Sequence, residues 1–152
     1  DIAATISELM DDNPDTYFVM GSGSTVGAVM EFLGLENTLL GVDVVLDKTL
    51  VASDVTASEL LSLTQGKPTQ VVLTVIGGQG HILGRGNQQL SPDFIRAIGK
   101  QNMRVVATKQ KLQSLGNKPL RLDSGDAELD ASLQGAFTII TGYKDKVLYN
   151  AE

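Results

Sequence analysis

Apolar residues along the chain fall either into short continuous runs or into runs with helical spacing. Tyr17-Phe18-Val19-Met20 is a continuous apolar run, and residues 26–33 place apolar side chains at the spacing of one helical face. This pattern predicts a strand, a glycine-rich turn and a helix that ends at Gly34. An amphipathic helix over residues 2–10 precedes this unit.

The next segment predicts a hairpin, a helix and a buried strand. Residues 39–46 form an apolar strand that can pair with residues 49–52. Thr56 and Glu59 have the spacing of a capping box, which opens a helix. Residues 70–76 are almost entirely β-branched and aliphatic, as expected of a central strand buried on both faces of a parallel sheet.

Strands and helices continue to alternate up to the end of the chain. Helices are predicted at 91–99, 108–115 and 126–133, and strands at 103–107, 120–122, 137–141 and 147–149. Such alternation is typical of doubly wound folds. We therefore predict an α/β fold over residues 1–152: a Rossmann-like, three-layer open sheet, mostly parallel, with a small hairpin.

Composition restricts the partners of this domain. The chain has 152 residues, 42% of them hydrophobic and 20% charged, which suits one globular domain with its own core. A formal net charge of -6 argues against nucleic acid and anionic membranes as partners, so a phosphate site must be local. Without cysteine, a signal segment or a membrane-length apolar run, the expected location is cytoplasmic.

The beginning of the sequence bears on domain organisation. It starts at Asp1, inside the predicted first helix, and not at a methionine. We expect the chain to be the C-terminal ligand-binding domain of a longer two-domain protein. Half of a shared active site would then belong to a missing N-terminal domain.

The first candidate site is the turn Gly21-Ser22-Gly23-Ser24-Thr25. Its glycines allow a tight turn with exposed backbone, and the N–H groups of the following helix start attract anions. The alternative is an ordinary helix cap beside flexible glycines. Neither the Walker pattern nor the dinucleotide fingerprint is present, because the Gly-Lys-Ser/Thr and the third glycine are missing. We predict phosphate or carboxylate binding here.

The second candidate site is the loop over residues 77–89, which follows the predicted central strand at its carboxyl end. Open α/β sheets bind ligands at that edge. Five glycines between Gly77 and Gly86 make this loop costly to order, and a ligand would offset that cost. The candidate ligand-binding residues are Gly77, Gly78, Gln79, Gly80, His81, Arg85, Asn87 and Gln88, with Gln89 beside them. A purely structural His81 is the alternative.

Acidic residues offer a weaker metal candidate. Asp123 and Asp126 could place two carboxylates near a magnesium ion, although a turn with a helix cap explains them as well. Asp43 and Asp54, which flank the hairpin, have less support. Lys109 is interpreted either as a solvated helix residue or as a phosphate partner.

Four segments carry a resemblance to a known family: 39–45, 76–81, 84–92 and 141–143. Together they resemble the C-terminal portion of the predicted polyphosphate/ATP-NAD kinase family, which includes relatives of the acetoin catabolism protein X. The similarity extends over essentially all 152 residues, and its glycine-rich segment is the most specific part. The resemblance implies a phosphotransferase that phosphorylates NAD with ATP or polyphosphate and uses Mg²⁺.

The family's phosphate-holding Gly-Gly-Asp-Gly-Thr motif is absent from this chain. Because that motif lies in the N-terminal region and supplies the key aspartate, the resemblance implies that this chain alone lacks the catalytic centre. No catalytic residue is assigned here. The expected partners are a small phosphorylated ligand and the missing N-terminal domain.

A second, local resemblance concerns the shape of the site. The strand, glycine-serine turn and helix are similar to the phosphate loop of ribose-5-phosphate isomerase, and Gly80-His81-Ile82 resembles a turn of glucosamine-6-phosphate deaminase. That turn's aspartate is Gln79 here, and glutamine cannot act as a base. A sugar-phosphate isomerase or deaminase is therefore disfavoured. The other alternative is a non-catalytic phosphate sensor whose ligand shifts a homo-oligomeric state.

Overall fold

A computed structural model describes all 152 residues as two sheets surrounded by helices. The nine strands are β1 (Tyr17–Met20), β2 (Asp43–Leu46), β3 (Thr49–Ala52), β4 (Thr69–Thr74), β5 (His81–Leu83), β6 (Met103–Val106), β7 (Arg121–Leu122), β8 (Gly135–Gly142) and β9 (Asp145–Ala151). The six α-helices are α1 (Ile2–Asp12), α2 (Ser24–Phe32), α3 (Ala57–Thr64), α4 (Pro92–Ile98), α5 (Lys109–Ser114) and α6 (Ala127–Leu133).

The main sheet has seven strands in the order β3-β2-β1-β4-β6-β8-β9. Its four inner strands β1, β4, β6 and β8 pair in parallel. The outer strands β2 and β9 pair antiparallel with their neighbours. A second, small sheet holds β5 and β7, which are also parallel. The predicted α/β class, with a mostly parallel open sheet and a small hairpin, is confirmed.

The central strand β4 explains how the sheet is buried on both faces. All six of its residues are buried, as its β-branched sequence predicts. Because side chains alternate along a strand, Val71 and Leu73 join the core on one face and Val72 joins the core on the other. Helices α1 and α2 cover the second face, and helices α3 to α6 cover the first.

Helix starts follow the local signals in the sequence. The Thr56 side chain accepts the N–H of Glu59, and the Glu59 carboxylate accepts the N–H of Thr56, which completes the capping box of α3. The Ser91 hydroxyl oxygen accepts the Phe94 N–H and caps α4, and the Thr108 hydroxyl oxygen accepts the Lys111 N–H and caps α5. No helix has the length and apolar character that a membrane crossing would require.

Two predicted segments differ from the structure. The strand predicted from Leu39 begins only at Asp43, because the Asp43 carboxylate accepts the N–H groups of Thr38 and Asp54 and holds the preceding residues in a turn. The segment predicted as one loop contains the strand β5, because Ile76 and His81 exchange two backbone hydrogen bonds and β5 pairs with β7.

The burial of β4 leads to a stability prediction. Leu73 is fully buried, whereas Leu148 on the edge strand β9 is 74% exposed. Leu73→Ala is expected to lower the free energy of unfolding by about 3 kcal/mol, since it leaves a cavity in the core. The matched control Leu148→Ala is expected to change it by less than about 0.5 kcal/mol. Urea denaturation followed by circular dichroism measures both, and equal losses would contradict this account of the core.

Candidate functional site

The turn after β1 lies against the carboxyl end of β4. The Gly21 N–H donates to the Val72 carbonyl at 2.9 Å, which continues the parallel pairing of the two strands. Gly23 has a φ of 119°, and a Cβ at this position would overlap the Thr74 side chain. Only glycine lets the backbone turn this closely past β4.

The start of α2 has free hydrogen-bond donors. Gly23 is the N-cap residue and provides no side-chain cap. The first helical bond runs from the Gly27 N–H to the Gly23 carbonyl at 3.0 Å. The N–H groups of Ser24, Thr25 and Val26 make no hydrogen bond within the protein. Such groups at a helix start attract anions.

A cavity of about 640 Å³ adjoins this helix start. Ser24 and Thr25 line it from α2, and Thr108 and Thr141 line it from the carboxyl ends of β6 and β8. Four residues with hydroxyl groups therefore line one space beside the free N–H groups, together with the acidic residues Asp1 and Glu31. The Thr108 hydroxyl accepts the Lys111 N–H, and the Thr141 hydroxyl donates to the Asp145 carbonyl. Sequence reasoning missed Thr108 and Thr141. Their positions in the sequence could have indicated them, because Thr108 directly follows one predicted strand and Thr141 ends another, and ligands bind at the carboxyl ends of such strands.

Ser22 ties the turn to the loop over residues 77–89. Its N–H donates to Asn87 Oδ1 at 3.0 Å, and its hydroxyl donates to the Gly86 carbonyl at 2.5 Å. Both Ser22 and Asn87 are buried. The two segments predicted as halves of one site are thus in contact, but the Ser22 N–H and hydroxyl are engaged inside the protein.

The loop divides its predicted ligand residues between two cavities. Gln79 is exposed and lines one cavity with Lys118 and Arg121. The other cavity, of about 480 Å³, is lined by side chains from the second half of the loop and by the turn after β7. Its polar lining includes His81, Arg85, Asn87, Gln88, Asp123 and Ser124. Neither cavity shares a residue with the cavity at α2.

The remaining predicted glycines have different surroundings. The Gly77 carbonyl accepts a hydrogen bond from the Lys111 ammonium at 2.9 Å, and the Arg85 guanidinium lies beside Gly77. Gly78 is exposed, and Gly80 is buried against Leu115. Sequence reasoning missed Lys111, which brings a second cation to the end of β4.

The acidic candidates have structural partners. One Asp126 oxygen caps α6 by accepting the Leu129 N–H at 3.0 Å, and the other pairs with Arg96 at 2.7 Å. The Leu129 bond and the Arg96 pair lower the pKa of the Asp126 carboxyl. Asp123 is exposed. No group of three or more histidine or carboxylate side chains that could hold a metal is found, so the magnesium site stays a prediction without structural support.

The weaker candidates also have local roles. Asp43 is buried and binds two backbone N–H groups, as described above. Asp54 is an exposed residue of the loop that Asp43 holds. Lys109 pairs with Asp145 at 2.7 Å on the surface and thereby lowers the pKa of the Asp145 carboxyl.

These features define the class of the protein: an α/β domain whose parallel sheet presents an open helix start at its carboxyl edge. A family model for the ATP-NAD kinase C-terminal domain matches residues 14–151. The chain therefore belongs to the ATP-NAD kinase C-terminal domain family, which confirms the family-level resemblance. A search of curated proteins found no match, and a search of solved structures found none either.

The bonds of Ser22 predict a contrast between two serines of one turn. Ser22→Ala is expected to lower the free energy of unfolding by about 1–2 kcal/mol, because it leaves the Gly86 carbonyl without its buried partner. Ser24→Ala, at an exposed position, is expected to change it by less than about 0.5 kcal/mol. Chemical denaturation compares the two variants, and equal values would show that the Ser22 bonds do not hold the loop.

The lowered pKa of Asp126 predicts a pH-dependent effect. Asp126→Asn keeps the cap but removes the charge paired with Arg96. Because the folded-state pKa is lowered, the charge stabilises the protein fully above the ordinary pKa of 3.8 and loses its effect as the pH falls through the lowered value. Asp126→Asn is therefore expected to lower the melting temperature at about pH 7 and to lower it by less at about pH 3, below the ordinary pKa.

Calorimetry at both pH values tests this, with and without added magnesium. A magnesium-dependent rise in the melting temperature of the natural protein that Asp126→Asn removes would contradict the structural role and favour the metal site.

Proposed function

We propose that this domain binds the phosphate groups of a nucleotide at the start of α2 and serves an NAD kinase-like phosphotransferase. In that reaction the terminal phosphoryl group of ATP, or of polyphosphate, moves to a hydroxyl of NAD and gives NADP. Family membership supports the reaction class. The observation that carries the binding site is the uncapped start of α2, with three free N–H groups beside a cavity that Ser24 and Thr25 line.

Physical chemistry favours an anion at this place. A helix start carries partial positive charge, and free N–H groups add directed donors. Ser24 and Thr25 supply hydroxyls at the same edge. Two acidic residues line the cavity, Asp1 and Glu31, and neither lies in the first turn of α2. The chain's net charge of -6 repels phosphate at long range, so such a local site has to provide the attraction.

Catalysis in this proposal depends on a second domain. The chain has no Gly-Gly-Asp-Gly-Thr segment, and no three or more of its histidine and carboxylate side chains form a group that could hold a metal. We assign the metal and the key aspartate to an N-terminal domain of the same protein. ATP or polyphosphate, NAD and Mg²⁺ are thus the proposed substrates and cofactor of the two-domain protein. Because the chain resembles relatives of the acetoin catabolism protein X, we propose that it belongs to this branch of the family.

The two alternative functions differ in support. A non-catalytic phosphate sensor uses the same helix start, and only an activity assay separates it from the kinase. An isomerase or deaminase needs a base near His81. Gln79 lines a different cavity from His81 and cannot take up a proton, which argues against that chemistry.

The charge at the start of α2 can be reversed to test the binding site. Ser24→Asp places a carboxylate where the phosphate is proposed to bind. It is expected to raise the dissociation constant for tripolyphosphate and ATP at least about tenfold, which equals about 1.4 kcal/mol. The same carboxylate is expected to stabilise the helix, and so the folded protein, by up to about 1 kcal/mol. Isothermal titration calorimetry and thermal denaturation measure the two effects.

Ser62→Asp is the matched control, because Ser62 is an exposed serine on α3, on the opposite face of the sheet. It makes the same change in net charge and is expected to leave binding unaltered. If Ser24→Asp binds tripolyphosphate as tightly as the natural protein, or if the natural protein does not bind it, the site is not at α2.

The reaction is tested with the protein that contains both domains. With magnesium and ATP or polyphosphate it is expected to convert NAD into NADP, whereas the 152-residue chain alone is expected to form none. Tripolyphosphate binding without NADP formation by the two-domain protein would favour the sensor. NADP formation by the chain alone would contradict the need for a second domain.

A further inference from the structure

A cavity of about 460 Å³ lies on the second face of the main sheet, between the strands β6 and β8 and one side of α1. Val106 and Ile140 belong to the core that α1 and α2 cover on this face. Arg104 and Thr138 stand two residues earlier on the same two strands, so they lie on the same face. Both line the cavity, which shares no residue with the cavity at α2.

Three cations line this cavity, and none of them pairs with a carboxylate. They are Lys100, Arg104 and Lys146, and the three ion pairs of the protein are formed by other residues. The chain has 18 acidic and only 12 basic residues, so three unpaired cations in one place stand against its overall charge. The Lys100 ammonium lies 4.4 Å from the centre of the Phe137 ring. Such a group of cations attracts an anion locally.

Arg104 has open hydrogen-bond donors in a fixed position. Its side chain is half-buried, and burial lowers the pKa of the guanidinium. Its Nε donates one hydrogen bond at 2.9 Å to Oε1 of the buried Gln70, which holds the guanidinium in place. The two η-nitrogens make no hydrogen bond in the protein and are not enclosed by it. A guanidinium held in this way is suited to bind a carboxylate through two parallel hydrogen bonds.

Acidic residues line the same cavity from α1. Glu8 and Asp12 are four residues apart, so they lie on one side of this helix, and both are exposed. Glu8 Oε1 accepts the Tyr143 hydroxyl at 2.8 Å. Two carboxylates repel a ligand with several negative charges and attract a positive group. The cavity therefore has a cationic side on the sheet and an acidic side on α1.

We propose that this cavity binds a small zwitterion, with its carboxylate on Arg104 and its ammonium group towards Glu8 and Asp12. Amino acids with the ammonium group near to or far from the carboxylate are ligands of this class. A volume of about 460 Å³ is in the range of small-molecule sites. The proposal does not depend on phosphate binding at α2, because the two cavities share no lining residue.

The Arg104 Nε–H, which donates to Gln70, provides a direct NMR signal for the test. The 152-residue protein is titrated with glycine, 4-aminobutyrate and 6-aminohexanoate, and with hexanoate as the probe that has no ammonium group. We expect the Arg104 signal to shift saturably with at least one zwitterion. This zwitterion is expected to bind about two- to fivefold more tightly than hexanoate, as for one exposed ion pair. If no zwitterion shifts the signal, or if hexanoate binds as tightly, the proposal is overturned.

Two arginines provide a matched pair of variants for the carboxylate end. Arg104→Lys keeps the positive charge and removes the two parallel donors, so it is expected to weaken binding of the responding zwitterion about tenfold. Arg121→Lys makes the same change at an exposed position in a different cavity, and it is expected to leave binding unaltered. Isothermal titration calorimetry measures both variants. Equal dissociation constants for the two would overturn the assignment of the carboxylate to Arg104.

Two neighbouring aspartates of α1 test the ammonium end. Asp12 lines the cavity and Asp11 does not, and both are exposed, so either substitution is expected to leave the fold intact. Asp12→Asn is expected to weaken zwitterion binding about two- to fivefold and not to weaken hexanoate binding. Asp11→Asn makes the same change in charge and loses only the surface pair with Lys48, so binding is expected to stay the same. If the two variants bind the zwitterion equally, the ammonium group does not face α1 and the proposal fails.

Tripolyphosphate distinguishes this cavity from a general anion site. Because Glu8 and Asp12 repel a multiply charged anion, tripolyphosphate is expected not to displace the zwitterion or to shift the Arg104 signal in the same way. Ser24→Asp, which reverses the charge at the start of α2, is expected to leave zwitterion binding unaltered. Displacement of the zwitterion by tripolyphosphate at similar concentrations would show that the cavity selects only for negative charge, and would overturn the proposal.

Discussion

Parallel pairing of β1 with β4 brings the candidate phosphate turn and the glycine-rich loop to the same edge of the sheet. The register places Met20 beside Val72, and the Gly21 N–H extends the pairing by one further bond to the Val72 carbonyl. Because both strands end at this edge, the turn that enters α2 and the loop that follows β4 begin side by side. The order of β6 and β8 then adds Thr108 and Thr141 to the same edge.

The buried contact between Ser22 and Asn87 divides this edge. It uses the Ser22 N–H and hydroxyl inside the protein, while the N–H groups of Ser24, Thr25 and Val26 stay free. On the α2 side the cavity is lined by four residues with hydroxyl groups and by Asp1 and Glu31. On the loop side it contains a mixed set of donors, acceptors and opposite charges. One short turn thus separates two cavities whose linings differ in chemistry.

Local signals were enough for much of the fold. The capping box at Thr56 and Glu59 formed as its spacing predicts, and the β-branched run of β4 became the central strand. The strand predicted from Leu39 was too long, because the Asp43 carboxylate holds the preceding residues in a turn through bonds to Thr38 and Asp54. The pattern of apolar residues alone does not indicate such a hydrogen bond. The short strand β5 was missed for a similar reason, since its partner β7 lies about 40 residues further along the chain.

The sequence by itself determined the α/β class, the helix that starts directly after the glycine-serine turn and the unusual glycine content of the loop, because these depend on residue type and short-range spacing. Only the tertiary structure decided which polar groups remain available to a ligand. Ser22, Asp43 and Asp126 are polar residues of the kind that bind ligands, yet each is engaged by backbone or side-chain groups of the protein. The start of α2, by contrast, keeps the N–H groups of Ser24, Thr25 and Val26 without a partner in the protein. Hydrogen-bond partners far apart in sequence set this difference, and the folded chain alone brings them together.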